Sequence, residues 1–171
     1  MQAAILTVST SVAAGSNEDA SGALLAEHAE NAGAEVVARE IVPDDQGVIE
    51  TALRKHVDAG IPLILTTGGT GLTPGDLTPE MTRRVIEREV PGIAEALRAA
   101  GAANGVPAAI LSRGVAGMAG RTLIVNLPGS TGGVRDGMAV LAPVLGHAIS
   151  QINGGDHVRS DSGGPRASGI A

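Results

Sequence analysis

Cysteine, phenylalanine, tryptophan and tyrosine are all absent from this 171-residue chain. Without cysteine there is no disulfide, no thiolate metal site and no cysteine nucleophile, and the redox compartment is left open. Without aromatic rings, base-stacking platforms and aromatic cages for cations are excluded. Positive charge is scarce: 12 Lys and Arg stand against 18 Asp and Glu, a formal net charge of −6. Sequence-independent nucleic-acid binding needs clustered Lys and Arg to displace counterions, so no nucleic-acid partner is expected. Apolar runs such as 61–65 are far below membrane-spanning length, and MQAAILTVSTSVAAGS has no basic targeting segment. The expectation is a cytoplasmic protein with no membrane partner. The length suits one α/β domain. Its core must be built from Leu, Ile, Val, Met and much Ala. Small side chains bury little area each, so subunit burial is expected to add stability, which predicts a homo-oligomer.

Hydrophobic patterning alternates strand and helix. Short apolar runs at 3–8, 35–42, 61–65 and 122–127 read as strands, and 108–111 as a shorter one. Residues 9–17 read as a polar loop. Helical spacing predicts helices over 19–31, 46–59, 78–90 and 92–100, the third opened by Thr78 as N-cap with Pro79 behind it. A last helix starts near Thr131, and Pro143 inside its apolar stripe predicts a kink or a break. Residues 153–171 are rich in Gly, Ser and Asp and read as a flexible tail behind a domain of residues 1–152. This alternation predicts a three-layer α/β fold, a mostly parallel sheet with helices on both faces. Ligands in such folds bind where loops leave the carboxyl ends of strands.

Three loops qualify by position. The richest is Thr66-Thr67-Gly68-Gly69-Thr70-Gly71-Leu72-Thr73-Pro74-Gly75-Asp76, where three glycines in four positions let backbone N–H groups face a bound anion. It is neither a Walker A loop, having no Gly-Lys-Ser/Thr, nor a dinucleotide fingerprint, because Pro74 stands where the third glycine belongs. Asp44, after strand two, and Asp76, in the glycine loop, are carboxylates at the same predicted sheet edge. An acid beside a phosphate loop calls for a bridging cation, for which Mg²⁺ is the usual choice. The plainer alternatives are a turn-and-cap role for Asp44, which Asp45 serves equally, and a helix cap for Asp76. Ser112-Arg113-Gly114 offers a cation for an anion, or a surface arginine. Pro128, Gly129 and Ser130 open the last helix, either as ligand donors or as a cap alone. His28, His56, His147 and His157 share no ligand-like spacing and are expected on helix surfaces or in the tail.

The glycine loop, the following Asp76-Leu77-Thr78-Pro79-Glu80 and Glu87-Arg88-Glu89-Val90-Pro91-Gly92 together resemble the Mog/MoaB family of molybdenum-cofactor biosynthesis. Ser112-Arg113-Gly114-Val115-Ala116-Gly117 and Leu123-Ile124-Val125-Asn126-Leu127-Pro128-Gly129-Ser130 extend the resemblance, which runs to about Ile152. It implies a molybdopterin-binding domain, usually trimeric and in some MoaB proteins hexameric, with other molybdenum-cofactor enzymes as partners. It also implies a nucleotidyltransferase: the terminal phosphate of molybdopterin attacks the α-phosphate of ATP, with Mg²⁺ present and pyrophosphate leaving. By resemblance, Asp44 and Asp76 are the functional, Mg²⁺-associated carboxylates. Thr67, Gly68, Gly69, Thr70, Gly71, Ser112, Pro128, Gly129 and Ser130 then bind substrate. Two positions depart from the family pattern. Ser9-Thr10-Ser11 stands where members often read Ser-Asp-Arg, and Gly75 where many carry Arg. Both remove cations from the rim of the implied site. The rival reading is a non-catalytic pterin-binding scaffold of the MoaB type.

Overall fold

A computed structural model describes residues 1–155. The tail expected over 153–171 falls, from residue 156 on, outside the described residues, as does His157. Six strands form one sheet: β1 (Gln2–Val8), β2 (Glu35–Val42), β3 (Leu63–Thr67), β4 (Arg88–Glu89), β5 (Ala116–Ala119) and β6 (Thr122–Leu127), in the order β2-β1-β3-β6-β5-β4. β2, β1, β3 and β6 run parallel, while β5 and β4 pair antiparallel on the far edge. Six α-helices connect or cover them: α1 (Thr10–Ala13), α2 (Ala20–Asn31), α3 (Gln46–Asp58), α4 (Thr78–Val85), α5 (Pro91–Ala103) and α6 (Thr131–Ile152).

The central strands alternate sides as period-2 geometry requires. Ile5, Leu65 and Val125 join Leu25 and Ala29 of α2 and Met138, Leu141 and Leu145 of α6 in one buried cluster. Leu6, Ile64 and Ile124 join Ile49 and Leu53 of α3 and Met81 of α4 in the other. This is the three-layer arrangement expected. Close approach substitutes for bulky rings: a Cβ on Gly137 of α6 would stand 2.8 Å from Leu127 Cδ2, so the missing side chain lets the helix settle on β6.

Several expected boundaries are corrected. Residues 9–17 contain the short helix α1, capped by Ser9, whose Oγ accepts from the Val12 N–H. The third strand runs two residues later than expected, to Thr67. The helix expected over 78–90 stops at Val85 because the Glu87 N–H reaches the Met118 carbonyl at 2.7 Å and draws the chain into β4. Its partner β5 is too laced with Ala and Gly to read as a strand. The apolar run 108–111 is a 3-10 turn, Pro107–Leu111, opened by Pro107. α6 is one helix through Pro143, not two. Pro143 is exposed, while Leu141, Leu145 and Ile149 on either side stay on the same buried face. His56 is buried at 3 % exposure rather than lying on a helix surface.

Candidate functional site

The carboxyl ends of β1, β3 and β6 lie side by side, and the connections leaving β1 and β2 cover opposite faces. That is a topological switch point, where a crevice opens at the sheet edge. The glycine loop crosses this edge. Gly68 has φ +97° and a Cβ there would fall 2.2 Å from the Val8 carbonyl oxygen; Gly69 has φ +62°. Both need glycine for conformation and for space, since a Cβ on Gly69 would fall 2.4 Å from the buried Thr78 hydroxyl.

Buried polar groups fasten the loop to the sheet. Thr67 is fully buried and its hydroxyl donates to the Pro128 carbonyl at 2.8 Å, tying the β3 loop to the β6 loop. Thr78 is also fully buried; its hydroxyl donates to the Gly68 carbonyl at 2.9 Å and its N–H to the Gly69 carbonyl. The expected N-cap role of Thr78 is therefore corrected: Leu77 holds that position without a side-chain bond. Asn126, 2 % exposed, donates to the Thr66 and Thr82 hydroxyls and accepts from the Val115 N–H. The Arg113 guanidinium is committed to the loop itself. Its Nε donates to the Gly71 carbonyl at 2.6 Å, its Nη2 to the Asp76 carbonyl, and its Nη1 pairs with Glu80.

The two aspartates flank the loop. Asp45, not Asp44, caps α3, its Oδ1 accepting from the Val48 N–H at 3.0 Å. Asp44 is released for another task. Its Oδ2 accepts from both the N–H and the hydroxyl of Thr10, each at 2.8 Å, and its own N–H donates to the Thr10 hydroxyl at 3.0 Å. Its Oδ1 lies 3.4 Å from where a Gly69 Cβ would sit. Asp76 is held the same way, Oδ2 accepting from the N–H and hydroxyl of Thr73 at 2.8 and 2.6 Å, and it stands 2.9 Å from a Cβ built on Gly71. Burial pushes the Asp76 carboxyl up, but the Thr73 hydroxyl and N–H, the Gly71 N–H and the Arg113 charge together hold it below the ordinary value of 3.8.

Two clefts open on either side. One, of about 590 Å³, is lined by Ser9, Ser11, Asn17, Asp44, Gly68 and Gly69, with Gly129 and Thr131 closing it. No Lys or Arg stands in its lining. The other, of about 290 Å³, is mostly apolar: Leu97, Val106, Ala109 and Leu111 form a wall, with Thr70, Gly71, Ser112, Pro128 and Ser130 on the loop side. The expected site residues thus divide between two clefts sharing one glycine loop. Asp76 lines neither, standing behind Gly71. Ser112 Oγ accepts from the Gly114 N–H and Ser130 Oγ caps α6 by accepting from the Gly133 N–H. Among the described residues no cluster of three or more His, Cys, Asp or Glu could hold a metal alone. No helix there is long and apolar enough to cross a membrane. The residues that sequence reasoning missed are Thr10 as the partner of Asp44, and Arg98 and Asp136 in the apolar cleft. Asn126 did carry a signal, a lone amide inside the apolar run of β6.

The model of a family described as a probable molybdopterin binding domain matches residues 4–147. A molybdenum cofactor biosynthesis bifunctional protein of Chlorobaculum tepidum is 40 % identical over 154 residues, covering 90 % of this chain and 49 % of that one. A molybdopterin adenylyltransferase of Helicobacter pylori is 39 % identical over 116 residues, covering 67 % of this chain and 65 % of that one. The chain spans about half the length of bifunctional relatives such as the first. Among solved structures, the molybdopterin biosynthesis enzyme MoaB of Thermus thermophilus superposes with a TM-score of 0.84 at 47 % identity, covering 90 % of this chain and 96 % of that one.

Proposed function

The chain belongs to the molybdopterin-binding domain family, and from that membership we propose that it acts in molybdenum-cofactor biosynthesis as a molybdopterin adenylyltransferase. An oxygen of the terminal phosphate of molybdopterin attacks the α-phosphorus of ATP. The new P–O bond forms as the bond to the β-phosphate oxygen breaks, and pyrophosphate leaves. The observation that carries this reading is the pair of clefts of opposite character meeting at one glycine loop, with Asp44 in the lining of the polar one and Asp76 behind Gly71. The apolar cleft suits a flat heterocycle, and the polar one suits phosphates and hydroxyls.

Asp44, in the lining of the polar cleft, would hold a Mg²⁺ in the manner of nucleotide enzymes, by one or two carboxylates with substrate phosphates completing the shell, and Asp76 behind Gly71 would be the second carboxylate. Such an ion, when bound, supplies positive charge to the phosphoryl oxygens. The chain's own residues do the positioning. Thr10 and Thr73 fix the two carboxylates, Gly68 and Gly69 let the backbone approach the phosphates, and Arg113 holds the loop in shape. The trimer implied by the Mog/MoaB resemblance extends the proposal to a homotrimer. Exposed Leu72 and Ile110, outside both clefts, are apolar surface available for burial between subunits.

A second reading, a pterin-binding scaffold without turnover, is favoured by the lack of Lys or Arg in the lining of the polar cleft. Incubation with molybdopterin and Mg-ATP separates the two. Pyrophosphate release supports the transferase; molybdopterin binding with no pyrophosphate supports the scaffold. Light scattering tests the assembly, and a clean monomer of 16.9 kDa contradicts it.

A further inference from the structure

The apolar cleft has two charged residues in its lining, Arg98 and Asp136. Arg98 is committed to the loop, its Nη1 donating to the Ser112 and Gly114 carbonyls at 3.4 and 3.2 Å. Asp136 has no Lys or Arg partner among the described residues. Its Oδ1 accepts from the neutral Asn104 Nδ2 at 2.7 Å. A half-buried carboxylate beside apolar walls is costly to desolvate unless donors meet it, and one amide leaves most of its lone pairs unmet. What the cleft lacks is a ligand edge carrying two adjacent N–H donors.

Resting on the reading above, we infer that Asp136 recognises the 2-amino and N3–H edge of the pterin ring. Two parallel N–H···O bonds would join that edge to the carboxylate, as a guanidinium fork joins one. The ring faces then lie against Leu97, Ala109 and Leu111, which supply flat aliphatic contact in a chain without aromatic residues. The bicyclic ring matches a cleft of about 290 Å³, and Thr70 and Gly71 in the same lining give the anionic substituent a place at the glycine loop. A site built this way discriminates by leaving the carboxylate unpaired against a ring that presents a carbonyl in place of the amino group.

The test compares two neutral probes, 6-hydroxymethylpterin and 6-hydroxymethyllumazine, which differ at the 2-position as amino against oxo. Calorimetric titration of the full chain should show the pterin bound about tenfold or more tightly than the lumazine, the effect of one lost hydrogen bond to a charged acceptor. Asp136→Asn keeps the shape and an acceptor for Asn104, and should abolish that preference. Asn104→Ala keeps the carboxylate and should retain it. Equal binding of the two probes by the parent chain, binding of neither, or an undiminished preference in Asp136→Asn overturns the inference. A pterin preference without pyrophosphate release defeats the transferase reading and leaves this one standing.

Discussion

Thr10 and Asp44 grip each other by three hydrogen bonds across 34 residues of chain, from the Thr10 N–H and hydroxyl to Asp44 Oδ2 and from the Asp44 N–H back to the hydroxyl. The position that departs from the family pattern at the end of β1 is therefore not idle. It fixes the carboxylate so that Oδ1 faces the glycine loop. Thr10→Val removes the hydroxyl and with it two of the three bonds at constant shape, and should lower turnover about tenfold or more, the scale of one to two net hydrogen bonds, with molybdopterin affinity little changed. Thr10→Ser should restore it. Steady-state kinetics read the split between kcat and KM; equal kinetics for Val and parent contradict the role.

Gly75, the other departure, offers open space: a Cβ there meets nothing within 4 Å, and its backbone is not in the left-handed region. Gly75→Arg should fold normally and add a cation at the rim of an otherwise acidic site. The expected result is a severalfold lower KM for molybdopterin at low salt, a gain that shrinks as ionic strength rises. An unchanged KM at low salt contradicts it.

Asn126 is the hub of the polar network under the loop. Asn126→Leu strands the Val115 N–H and removes a partner from the Thr66 and Thr82 hydroxyls. Groups so buried and unpaired cost roughly 3 kcal/mol in total, measurable as a lowered urea midpoint. A midpoint within error of the parent contradicts the assignment.

The alternation of strands and helices was legible because the apolar periods of β1, β2, β6 and α3 are clean and Asp19, Gly33 and Asp45 stand at helix ends as local stop and start signals. β4 and β5 were not. Arg88–Glu89 is two exposed residues, and Ala116–Ala119 is a strand only because its neighbours pair with it. The glycine loop was legible as a site from composition, and Asp44 and Asp76 from their place at the sheet edge. Their threonine partners were not, since Thr10 and Asp44 meet only through the fold. Arg113 looked like a candidate anion ligand, and only the folded loop shows its guanidinium spent on Gly71, Asp76 and Glu80. Asp136 left no sequence signal at all, sitting one turn and a half into α6.

His56 is buried on α3 with its Nε2 3.2 Å from Glu40 Oε2. Burial lowers its pKa below 6.5, outweighing the opposing pull of the Glu40 charge. The unfolded chain then binds the proton more readily than the folded one, so His56 contributes stability that is complete above about 6.5 and is lost as pH falls through its folded value. Urea midpoints should therefore drop between pH 7.5 and 5.5, and the drop should be smaller in His56→Gln. An equal drop in both proteins contradicts the claim.

The central claim, adenylyl transfer between two carboxylates that face one glycine loop, is tested most directly by pyrophosphate release from molybdopterin and Mg-ATP in the parent, Asp44→Asn and Asp76→Asn. Each substitution keeps the shape and an acceptor for Thr10 or Thr73 while removing one negative charge. The account predicts turnover in the parent and about a hundredfold loss or more in either variant, the size expected for one electrostatic stabiliser, with molybdopterin binding retained. Full turnover in both variants would contradict it.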